Sequence, residues 1–97
     1  MKKKFDLYEA LLADGFKVSE PVLGCDVLLR DLDRVDALGI KFHLIVSVLF
    51  SPDHGVARVS YHHDSPKRSP FKTKTHLNDR RAYNAIVATV KNNGFEF

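Results

Sequence analysis

The stretch IKFHLIVSVLF, residues 40–50, decides the fold. Every even position in it is apolar (Ile40, Phe42, Leu44, Val46, Val48, Phe50), while the odd positions read Lys41, His43, Ile45, Ser47 and Leu49. A period of two belongs to a β-strand with one fully buried face. The next residues, Ser51, Pro52, Asp53, His54 and Gly55, form a turn: proline suits its second position and Gly55 is expected to supply a positive φ. The return strand, 56–63, sets Ala57, Val59 and Tyr61 on one face and Arg58, Ser60 and His62 on the other. Parity fixes the register of this hairpin, about 40–50 and 56–63. Pairing Phe50 with Val56 would place Arg58 in the core, so Phe50 is expected opposite Ala57 and Val48 opposite Val59, with a bulge at Gly55.

Upstream, residues 5–13 read as a short amphipathic helix with Asp6 as its N-cap, and Gly15 followed by Phe16 matches a Schellman ending. Residues 19–24 read as a connector punctuated by Pro21 and Gly24. In segment 26–38, Leu28, Leu32, Val35 and Leu38 fit a helical stripe, and Asp26, Asp31, Asp33 and Asp36 are poor strand material. This segment is expected to be a helix, with a third strand through 27–32 as the alternative. Downstream, 64–77 has no apolar period and reads as an exposed basic loop. A C-terminal helix capped by Asn78 or Asp79 follows, with Ala82, Ala85, Ile86 and Val90 on its inner face and Gly94 at its end. The expectation is a small single α+β domain, an antiparallel hairpin packed with one helix from each end of the chain.

Composition narrows the function. The chain has 97 residues, enough for one modest core and too few for a second. The single cysteine, Cys25, builds neither an internal disulfide nor a zinc finger, and points to a reducing compartment, the cytoplasm. Asp6 and Glu9 soon follow the basic start, Met1–Lys4, without an apolar run, so no export signal is read. The longest apolar stretch is far below the roughly 20 residues of a membrane helix.

The charge is uneven. Residues 1–40 hold six basic and eight acidic side chains, whereas 41–97 hold nine and four. Within 66–81, Lys67, Arg68, Lys72, Lys74, Arg80 and Arg81 face the lone Asp79, so one segment accounts for the net charge of +3. Its head, Ser65-Pro66-Lys67-Arg68 and then Ser69-Pro70-Phe71-Lys72, resembles the tandem Ser-Pro-basic repeats of linker-histone tails, with Phe71 where a basic residue is usual. That resemblance implies minor-groove DNA binding. Independently of it, the cations suit phosphates, Pro66 and Pro70 keep the backbone extended, and Phe71 suits stacking on an exposed base.

Other chemistry is thinner. The hairpin register would bring His43 opposite Asp64 with His62 beside them, a grouping suited to a metal or a proton transfer. Cys25 has no basic neighbour before Arg30 to activate it, and no phosphate loop, nucleophile elbow or calcium loop occurs. The sequence therefore predicts a non-enzymatic binding protein without metal or cofactor. Nucleic acid, or another phosphate backbone, is the expected partner, through Lys67, Arg68, Phe71, Lys72, Lys74, Arg80 and Arg81. The alternative is a protein-interaction module, with the acidic 26–36 face or the basic segment docking on a complementary patch. In its general look, a short chain with a lysine-rich start and no enzymatic motif, it is similar to accessory proteins of phages and prophages. That likeness implies an inhibitor or adaptor on a larger host complex.

Overall fold

The computed structural model describes residues 5–64 and 69–97. The elements run α1 (Leu7–Ala13), β1 (Lys17–Val22), β2 (Cys25–Val35), β3 (Lys41–Phe50), β4 (Ala57–His62), β5 (Lys72–His76) and α2 (Asp79–Asn92). The five strands form one antiparallel sheet in the order of the chain, giving an α+β fold. No helix among the described residues is long and apolar enough to cross a membrane.

The central hairpin has the expected register, with Phe50 opposite Ala57 and Val48 opposite Val59. Its buried face carries Leu44, Val46, Val48, Phe50, Val59 and Tyr61, covered by Leu7 and Leu11 of α1 and Ala82, Ile86 and Val90 of α2. In the turn, His54 rather than Gly55 takes the positive φ, at 58°. Its ring lies 5.0 Å from those of both Tyr8 and Phe50, and Nε2 is 2.8 Å from Asp26 Oδ2, so these partners hold the residue in a conformation that glycine usually fills.

The helix ends follow the expected chemistry. Asp6 accepts the Glu9 N–H, and Phe16 N–H returns to the Leu11 carbonyl across Gly15. Asn78, of the two candidate caps, accepts the Arg81 N–H, and Phe95 closes α2 on Val90 across Gly94. Phe95 is buried in the core.

Two segments differ from expectation, and a third, 26–38, takes the strand alternative rather than the helix. It forms strand β2 up to Val35, and 19–24 is not a connector but contains most of edge strand β1 and its turn into β2. A leucine spacing of four fits both periods, because Leu28 and Leu32 also share a strand face. The aspartates, weak strand formers, are offset by cross-strand partners: Asp33 pairs with Lys41 at 3.3 Å and Asp31 meets His43 at 3.0 Å. Asp26 likewise meets His54 at 2.8 Å, so three aspartates of the expected acidic face have internal partners while staying about half-exposed. Pro21 is tolerated because β1 is an edge strand. Residues 72–76, expected within a loop, form β5 against β4.

β2 and β3 outrun their neighbours. The β3–β4 ladder stops at Ile45 and His62, whereas β2–β3 pairing continues to Val35 and Lys41. The resulting ribbon bears exposed Val35, Leu38, Ile40 and Phe42, so the last two leave the buried face assigned to even positions.

Candidate nucleic-acid interface

The basic segment is organised by β5 and the first turn of α2. Lys72 and Lys74 pair opposite Tyr61 and Val59, which places both lysines on the helix-covered side of the sheet, at its edge. Thr73 and Thr75 alternate onto the opposite side, where Ser60 Oγ and Thr73 Oγ1 are 3.3 Å apart. Between β5 and α2 lies a cleft of about 330 Å³ lined by Lys74, Thr75, His76, Leu77, Asn78, Arg81 and Ala85. Its lining contains two formal cations and no carboxylate.

The one acid of the segment faces elsewhere. Asp79 accepts the Leu7 backbone N–H at 3.1 Å, turned towards α1. Arg80 also leaves the cleft: its guanidinium lies 4.1 Å from the Phe5 ring centroid. The structure therefore gathers Lys74 and Arg81 in one cleft with Lys72 along the same edge, and sets Arg80 on the α1 side of the same helix start. Lys67 and Arg68 lie outside the described residues, as do Ser65 and Pro66, so the Ser-Pro-basic unit has no structural description.

Phe71 is half-exposed and fixed by its backbone: its N–H donates to the Tyr61 carbonyl at 2.9 Å, one residue before β5 begins. Its ring stacks on His63 with centroids 4.1 Å apart and planes 12° from parallel. Sequence reading missed His63, because strand alternation sends it away from His62, whereas β4 ends at His62 and frees the next residue to turn. Lys72 Nζ lies 5.8 Å from the Tyr61 ring centroid. The edge thus presents stacked rings and then lysines in chain order.

His76, the inner end of β5, is buried, and its burial, reinforced by nearby Lys74, holds its pKa below the usual histidine value. At neutral pH it is uncharged, and Lys74 and Arg81 set the charge of the cleft. Burial likewise pushes the Tyr61 hydroxyl up, against the opposing effect of its hydrogen bond with Thr89.

The histidine grouping does not assemble as expected. His43 Nδ1 meets Asp31 of β2 at 3.0 Å rather than Asp64, and the β3–β4 ladder ends before reaching that pair. Among the described residues no group of three histidine, cysteine or acidic side chains is placed to hold a metal ion. Cys25 is a free thiol at intermediate exposure. Comparison with family models, with curated proteins and with solved structures finds no match to this chain.

Proposed function

We propose that the protein is a small non-catalytic binding protein that takes a nucleic-acid phosphate backbone along the β5–α2 edge. The observation that carries this reading is the cleft in which Lys74 and Arg81 converge without a carboxylate, while Asp79 is committed to Leu7. Lys72 extends the cationic edge, Arg80 adds charge from the far side of the helix start, and Lys67 and Arg68 belong to the same stretch of sequence. Asn78, in the cleft lining, supplies a neutral amide for phosphate oxygens. Such contacts displace counterions, so affinity should fall steeply between about 50 and 200 mM salt. Fluorescence anisotropy with labelled oligonucleotides at those two salt concentrations tests it; no binding at the lower one removes the reading.

A second reading rests on the β2–β3 ribbon. Leu38 is 85% exposed and Val35, Ile40 and Phe42 accompany it, an apolar tip that phosphate binding does not use. It favours docking on another protein, as an inhibitor or adaptor of a larger complex would. Pull-down from a lysate, with and without nuclease, separates the readings: a partner retained after nuclease and lost from a Leu38→Asp variant supports the ribbon, while one lost with nuclease supports the cationic edge.

A further inference from the structure

We propose that the nucleic acid taken at this edge is single-stranded, with a splayed base stacked on the His63–Phe71 pair while its flanking phosphates lie on Lys72, Lys74 and Arg81. This inference rests on the phosphate-binding reading above and names the form of nucleic acid that fits the site. The two rings are near-parallel at 4.1 Å, and both residues are exposed, so the pair offers an aromatic surface to solvent. A paired base inside a duplex has both faces occupied by its neighbours; only an unstacked base has a face to give. The platform is also held in advance. The Phe71 N–H on the Tyr61 carbonyl locks its backbone, so docking a base orders little that is not already ordered.

The spacing suits a strand that runs along the edge. Phe71 stands at a bend just before β5, and Lys72 and Lys74 follow on one face of that strand, so the Phe71 and Lys74 Cα atoms lie within about 10 Å at the usual strand rise. Lys74 then shares the cleft with Arg81, so cations continue from the platform into the cleft. Base stacking with cationic tracking of the backbone is the common design of sequence-tolerant single-strand binders.

The test is anisotropy titration of a short labelled oligothymidylate and of a duplex of the same length, with wild type, Phe71→Leu and Phe71→Tyr. Phe71 is 43% exposed, so neither variant threatens the fold. The expected result is tighter binding of the single strand by wild type, a loss of about 5- to 150-fold in Phe71→Leu for the single strand alone, and retained binding in Phe71→Tyr. Equal loss for both forms, no loss in Phe71→Leu, or a wild type that prefers duplex overturns the single-strand assignment and leaves the phosphate reading standing. A wild type that binds neither form at low salt overturns both.

Discussion

The carboxylate of Asp79 accepts the backbone N–H of Leu7 at 3.1 Å, joining the first turns of two helices that lie 72 residues apart in the chain. The bond satisfies an N–H that a helix start leaves without an intrahelical partner, and it turns the only acid of 66–81 away from the cationic cleft. Replacing Asp79 with Ala removes the acceptor and a favourable charge in the first turn of α2, and should cost about 1–3 kcal/mol. Asp79→Asn keeps an acceptor and should recover part of this. Urea denaturation with an unchanged slope and a lowered midpoint checks both.

Gly15 and Gly94 separate backbone strain from steric conflict. Both have positive φ, at 90° and 82°, and both sit in Schellman endings. A Cβ on Gly15 would fall on the Arg30 guanidinium, which donates to the Asp14 carbonyl at 2.6 Å; on Gly94 the nearest atom is Arg34 Nε at 3.4 Å. Gly94→Ala should therefore cost about 1–2 kcal/mol from conformation alone. Gly15→Ala should cost that amount plus the Arg30–Asp14 hydrogen bond, about 1 kcal/mol more, because the flexible guanidinium end must swing aside, and thermal denaturation of the two variants measures the difference.

Tyr83 ties the other end of α1 to α2. Its hydroxyl donates to Asp14 Oδ2 at 2.6 Å while its ring packs edge-on against Phe5. Tyr83→Phe keeps the ring contact and should lose about 1–2 kcal/mol, the worth of a hydrogen bond to a charged group near the surface. Tyr83→Ala should lose more, because the ring packing goes as well.

His76 gives stability a pH dependence of known sign. Its folded pKa lies below the ordinary value of 6.5 because burial, and then Lys74, disfavour the imidazolium. Between the two values the unfolded chain binds more protons, so stability is full above about pH 6.5 and falls as pH drops towards the folded pKa. His76→Gln should flatten this fall in denaturation midpoints measured across the window.

The hairpin was legible because one long apolar period and one arginine leave a single register: Arg58 has no place in the core. The helix ends were legible because Asp6, Gly15 and Gly94 each have a local role that depends on no distant contact. β2 was not, since its aspartates are stabilised by Lys41, His43 and His54, partners whose proximity depends on the completed sheet. The cationic edge was visible as composition, but its geometry was not. Arg80 and Arg81 are neighbours in sequence yet point to different partners, one to Phe5 and one to the cleft. His63 was missed for the same kind of reason, since only the end of β4 at His62 frees it to meet Phe71.

The central claim is that Lys74 and Arg81 bind phosphates, and the salt dependence of oligonucleotide affinity in a Lys74→Ala, Arg81→Ala double variant measures it most directly. For a single strand, losing two phosphate contacts should make the slope of log affinity against log salt shallower by about 1.4, with weaker binding at low salt and an unchanged circular dichroism spectrum. A variant that keeps the wild-type affinity and slope would contradict the account.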